Sequence, residues 1–119
     1  MKIMIVDDAL FMRVLLRGIV EEEGWEVVAE AADGAEAVLK YQEFRPDLTT
    51  MDVVMPHKSG IEALAEITLL DPGAKVVMCT AMGQDSLVEE ARQAGALGYI
   101  LKPFDSKRVK DVIIKVMGL

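Results

Sequence analysis

Apolar residues along this chain follow two rhythms that alternate from end to end. Short runs rich in valine and isoleucine, Ile3–Val6, Glu26–Ala31, Asp47–Asp52, Lys75–Thr80 and Leu97–Leu101, have the length and character of strands. Between them lie longer stretches with apolar side chains three and four residues apart, the spacing of a helix face. They run from Leu10 to about Glu23, over Ala35–Phe44, from Ser59 to about Leu70, from Gln84 to about Ala94 and from Asp105 to about Met117. The stripes predicted to face inward are Phe11, Val14, Leu15 and Ile19 on the first helix and Ala37, Val38 and Tyr41 on the second. On the fourth they are Leu87, Val88, Ala91 and Ala94, and on the fifth Val109, Val112, Ile113 and Val116. Gly24 and Gly95 close two helices, Asp33 and Ser59 are placed to cap two others, and Arg45-Pro46 stops the second.

Five strand–helix units joined by short connections demand a parallel sheet covered by helices on both faces. Right-handed crossovers leave few topologies. The expected fold is α/β, doubly wound and flavodoxin-like, a (βα)5 arrangement with strand order 2-1-3-4-5. A length of 119 residues with 52% hydrophobic and 28% charged side chains suits one domain spanning 1–119. A chain that starts at Met1 and ends just past its last helix reads as complete. No apolar run reaches the ~18 residues of a membrane span, and the first residues do not form a signal peptide. The lone Cys79 cannot form an internal disulfide. The expectation is a monomeric cytoplasmic protein.

Charge adds a second asymmetry. The net charge is −7, which argues against binding a nucleic-acid backbone. Residues 98–119 nevertheless carry five basic and two acidic side chains, against eight and eighteen in the preceding body. A basic end on an acidic body offers an acidic partner a docking face made by the last two helices and the fifth strand.

In this fold class ligands bind beyond the carboxyl ends of the strands, where strand order reverses. The first strand ends in Asp7-Asp8, the third in Asp52, the fourth in Thr80 and the fifth in Lys102-Pro103. Crowded carboxylates repel one another unless a cation joins them, and hard oxygen ligands select Mg²⁺. A lysine and a hydroxyl beside them suit the oxygens of a phosphoryl group. A carboxylate facing that group is a candidate nucleophile, forming an aspartyl phosphate.

Val6-Asp7-Asp8, Met51-Asp52-Val53-Val54-Met55-Pro56, Thr80-Ala81 and Lys102-Pro103-Phe104 together resemble response-regulator receiver domains, in content and in order, over the whole chain. Within that family the chain looks most like the stand-alone, CheY-like chemotaxis regulators. Phe11-Met12-Arg13 and Ala81-Met82-Gly83-Gln84 resemble those of thermophilic bacteria and archaea. The resemblance implies that Asp52 is the phospho-acceptor, taking its phosphoryl group from a CheA-like histidine kinase. It implies Mg²⁺, with Mn²⁺ able to substitute, held by Asp8, Asp52 and the backbone carbonyl of Val54, and by Asp7 through water. Lys102 and Thr80 would bind the phosphoryl oxygens, Tyr99 would be the aromatic switch, and Lys102-Pro103 would be a cis peptide. The implied partners are that kinase, a motor switch or other output protein, and a phosphatase of the CheC or CheX type.

Val54 and Met82 are apolar where polar groups often sit in the family, at positions that set the rate of dephosphorylation. Two apolar walls should hinder an in-line water, so a long-lived phosphoryl form is expected. Rival readings are a phosphorelay receiver that passes phosphate to another histidine protein and a Mg²⁺-dependent aspartyl-phosphate hydrolase. The hydrolase needs an acid two residues after its nucleophile, where this chain has Val54. A flavin-binding flavodoxin is disfavoured, because acids stand where a phosphate cradle needs free N–H groups. Cys79 reads as a small buried hydrophobe, His57 as a loop residue at the site edge, and Trp25 as a cover for the core. Nothing in the sequence gives Glu21-Glu22-Glu23 a role beyond solubility.

Overall fold

Strands whose two faces are both apolar must be covered on both, and the chain does so with helices. The computed structural model describes residues 1–119. The elements are β1 (Lys2–Val6), α1 (Leu10–Glu22), β2 (Glu26–Ala31), α2 (Gly34–Phe44), β3 (Leu48–Met51), α3 (Gly60–Leu70), β4 (Val76–Thr80), α4 (Asp85–Ala94), β5 (Gly98–Leu101) and α5 (Ser106–Met117). All five strands are parallel, in the order β2-β1-β3-β4-β5. Fold class and strand order agree with the sequence reading.

Alternate residues along the strands feed two separate cores. Met4, Val6, Met51, Val76 and Met78 pack with Ala37, Tyr41, Leu64, Ile67 and Ala91. Ile3, Ile5, Leu48, Val77, Cys79 and Ile100 pack on the other face with Leu16, Ile19, Val20, Val109, Val112 and Ile113. Trp25 covers the edge of this second core, as expected. No helix is long and apolar enough to cross a membrane.

The caps hold too. The Asp33 side chain accepts from Glu36 N, and Ser59 forms a reciprocal capping box with Glu62. Asp47 lies just outside β3, where its carboxylate accepts from Lys2 N at 2.7 Å.

The first helix corrects the predicted stripe. Phe11, Val14 and Leu15 are exposed, and the buried positions are Leu16, Ile19 and Val20. Apolar residues surround most of this helix, so their period does not choose the inward face. Arg13 and Arg17 do: both side chains reach Glu30 of β2, at 3.1 and 2.5 Å, which fixes the rotation of α1. The glutamate run also gains a role, because Lys110 of α5 pairs with Glu23 at 3.2 Å and Glu22 at 3.5 Å.

Candidate functional site

Three strands deliver acids or bases to one edge of the sheet. Asp7 follows β1 and is 1% exposed, Asp52 follows β3 and is 8% exposed, and Asp8 is exposed. Lys102 follows β5 and donates from Nζ to Asp7 Oδ2 at 2.6 Å and to Asp52 Oδ2 at 2.9 Å. One ammonium thus bridges the two strands that flank the reversal of strand order. Partial burial would lower the Lys102 ammonium, but its bonds to Asp7 and Asp52 outweigh that and raise it above its ordinary value. The lysine therefore stays charged at neutral pH.

A single ammonium does not balance three carboxylates. Oxygens of Asp7, Asp8 and Asp52 lie within 4.8 Å of one another. Such a cluster of hard oxygen donors with surplus negative charge fits a divalent cation of the Mg²⁺ type. Of the predicted ligands, Asp7, Asp8 and Asp52 come together here.

The loops around the acids are tightly closed. Ala9 N donates to Asp7 Oδ1 at 2.9 Å, which fixes the first turn after β1. Gly60 N donates to Val53 O at 2.8 Å. A Cβ on Gly60 would lie 1.8 Å from the carbonyl oxygen of Asp52, so only glycine lets α3 start this close to the acid. Gly34 plays a similar part, since a Cβ there would meet Lys58 O at 2.4 Å. Sequence reasoning missed both glycines. The Asp33-Gly34 and Ser59-Gly60 pairs were the available signal, and the capping roles of Asp33 and Ser59 absorbed it.

Thr80 ends β4 almost wholly buried, and its hydroxyl accepts from Met82 N at 3.3 Å. Tyr99 of β5 is half-buried, and its hydroxyl donates to the carbonyl of Met82 at 2.5 Å. Thr80 and Tyr99 therefore hold the same residue of one short loop, by its N–H and by its carbonyl. Burial and the Asp52 charge raise the Tyr99 phenol above its ordinary value. Val54 and Met82, distant in sequence, line one groove with Met55, Leu87 and Glu90. The Lys102-Pro103 peptide is cis. His57 sits at the exposed tip of the loop after β3, and burial pushes the Cys79 thiol up to about 12, which leaves it unreactive.

These positions can now be set beside known proteins. The family model of the response regulator receiver domain matches residues 3–114. The chain belongs to the response-regulator receiver family. This receiver is 53% identical to the chemotaxis protein CheY of Bacillus subtilis over 117 residues, covering 98% of each chain. It is 50% identical to CheY of Thermotoga maritima over 115 residues, covering 97% of this chain and 96% of the relative. Among solved structures, the receiver superposes on a chain of the CheX–CheY–BeF3–Mg²⁺ complex from Borrelia burgdorferi with a TM-score of 0.95. There the identity is 37%, with 97% of this chain and 87% of the other covered. The likeness is to CheY-type receivers along the whole length of the chain, not to its motifs alone.

Proposed function

We propose that this receiver is a stand-alone phosphorylation switch in chemotaxis, charged on Asp52 by a CheA-like histidine kinase in a Mg²⁺-dependent reaction. The observation that carries the reading is the Lys102 ammonium, held between Asp52 and Asp7 inside a cluster with surplus negative charge. The likeness to CheY proteins over nearly the full length, one of them crystallised with BeF3 and Mg²⁺, supports it.

The transfer needs little beyond positioning and charge. A carboxylate oxygen of Asp52 attacks the phosphorus of a phosphohistidine. The new P–O bond forms as the P–N bond breaks; the electron pair stays on the leaving nitrogen, and the proton carried by the ring's other nitrogen makes the released imidazole neutral. Lys102 already touches Asp52 and exchanges that contact for a phosphoryl oxygen. The Thr80 hydroxyl is the second donor. Asp7, Asp8, Asp52 and the Val54 carbonyl would hold Mg²⁺, with Asp7 acting through water. The ion supplies positive charge against the phosphoryl oxygens.

Output follows from the β4–α4 loop. Thr80 and Tyr99 both bind the backbone of Met82, so a hydroxyl drawn toward a phosphoryl group releases one of the loop's two ties. Tyr99 also lines shallow grooves with Val88, Leu97, Leu101 and Arg108 on the α4–β5–α5 face. That face is where a motor switch or other output protein docks in this reading. Phosphate and partner then strengthen each other's binding by the same factor. The apolar groove of Val54 and Met82 slows the in-line water and leaves clearance to a phosphatase of the CheX or CheC type. The whole of 1–119 acts as one receiver domain in the cytoplasm.

The test is intact-mass spectrometry after incubation with acetyl phosphate and Mg²⁺. Wild type should gain one phosphoryl group; Asp52→Asn, or a chelator, should abolish the gain. Uptake of the same size by the Asp52→Asn variant would refute the assignment.

A further inference from the structure

Arg13 uses its guanidinium on two edges at once. Nε donates to Glu30 Oε1 at 3.1 Å, and Nη1 donates to the backbone carbonyl of Asp7 at 2.6 Å. The side chain is only 16% exposed. Its acceptor on β2 is itself held. Arg17 donates to Glu30 Oε2 from Nε and Nη2, and Lys40 Nζ donates to the Glu30 carbonyl at 2.5 Å. Burial would raise the Glu30 carboxyl, but the two arginines outweigh it and hold it below its ordinary range. Glu30 is thus a fixed anion one residue before the end of β2.

The other edge of the guanidinium meets the chain where β1 has ended. The next helix has Ala9 at its N-cap with no side-chain cap of its own, and the turn before it is held by Asp7 Oδ1 on Ala9 N and by Arg13 on the Asp7 carbonyl. The Asp7 carbonyl belongs to the peptide that carries Asp8, so holding it fixes where the Asp8 side chain starts. Buried carbonyls need a donor, and here the donor comes from α1 rather than from the sheet.

We infer that Arg13 is a positioning residue of the cation site: braced by Glu30, it sets the Asp7–Asp8 peptide and through it the affinity for the metal. The inference rests on the function proposed above in one respect, that Asp7, Asp8 and Asp52 bind Mg²⁺. Simple electrostatics makes the opposite prediction. A cation near the site repels Mg²⁺, so its removal should tighten binding. A lost brace should weaken it. Lysine separates the two further, because it keeps the charge but lacks the planar fork that serves two acceptors.

Titrating Mg²⁺ into the full chain and following backbone amide shifts of Asp8 and Ala9 by NMR tests this. Residues that orient metal ligands typically affect affinity ~10–100-fold, so Arg13→Gln should weaken Mg²⁺ binding about tenfold and Arg13→Lys at least about threefold. Arg17→Gln removes the same charge from the same glutamate without touching Asp7, and should stay within about twofold of wild type on that scale. Binding by Arg13→Gln as tight as wild type or tighter overturns the inference. So does full affinity in Arg13→Lys, or an equal loss in Arg17→Gln. If Arg13→Gln does not fold, Arg13→Lys decides by the same criterion. Wild type without saturable Mg²⁺ binding, or a loss-free Asp8→Asn, overturns the metal site itself and the role of Arg13 with it. A normal wild-type titration beside unaffected Arg13 variants overturns the brace alone.

Discussion

A single carboxylate and a cluster of three sit at opposite edges of the same sheet, and they are built to opposite standards. At the edge where the strands begin, Asp71 caps the end of α3 and accepts from Tyr41 Oη at 2.7 Å and from Gly73 N at 3.1 Å. Arg45 stands 3.7 Å away. Acceptors and donors match, and the carboxylate ties α2 to α3. At the edge where the strands end, Asp7 and Asp52 share one ammonium, Asp8 has none, and oxygens of the three crowd within 4.8 Å. The same residue types give a finished structural tie in one place and an unfinished site in the other. The difference lies in the balance of charge: Asp71 is matched by its donors, whereas the three acids keep surplus negative charge, which in the proposed function a cation and an incoming phosphoryl group would complete.

Substitutions at the two edges should therefore differ in whether they reach the chemistry. The largest effect is expected for Lys102→Ala. It should slow phosphoryl uptake from acetyl phosphate by on the order of a hundredfold, the scale of losing one preorganised donor to developing charge. It should also cost roughly 2 kcal/mol of stability by denaturant melts, because it leaves the buried Asp7 carboxylate without its partner. Equal uptake rates in the variant and wild type would erase the functional side of the contrast.

Tyr41→Phe should touch stability alone. Loss of its hydrogen bond should cost about 1 kcal/mol in denaturant melts and leave the rate of phosphoryl uptake unchanged. A change in rate would mean that the two edges are coupled.

The smallest effect is in the acid limb of stability. The Tyr41 hydroxyl holds the Asp71 carboxyl below the usual carboxylate range. A lowered folded value means that the stabilisation is complete above the unfolded value near ~4 and is lost as pH falls through the folded one. Stability from melts at stepped pH should fall below about pH 4, and Tyr41→Phe should flatten that fall. An unchanged acid limb would show that the tie does not depend on ionised Asp71.

Most of the fold was legible because short valine-rich runs and helical spacing alternate without interruption. The convergence of Asp7, Asp8, Asp52, Thr80 and Lys102 on one edge was legible for the same reason, since the last residues of four strands stand out once the strands are placed. What escaped depends on contacts between elements. The inward face of α1 was misread because Leu10, Phe11, Val14 and Leu15 are as apolar as Leu16, Ile19 and Val20, and the choice is made by Arg13 and Arg17 on Glu30. Glu22 and Glu23 had no reading until Lys110 of α5 came beside them. Gly60 looked like part of a capping sequence, and only its approach to the Asp52 carbonyl shows why a side chain cannot stand there. Cap residues act within a few positions of themselves and can be read locally, whereas these three depend on partners that only the folded chain supplies.

The most direct test of the central claim locates the phosphoryl group. Borohydride reduces an acyl phosphate on aspartate to homoserine and leaves free carboxylates alone. After incubation with acetyl phosphate and Mg²⁺, reduction and peptide mapping should find homoserine at position 52 and aspartate at positions 7 and 8. Homoserine at position 7 or 8, or none in a folded protein that has gained phosphoryl mass, would contradict the assignment of Asp52.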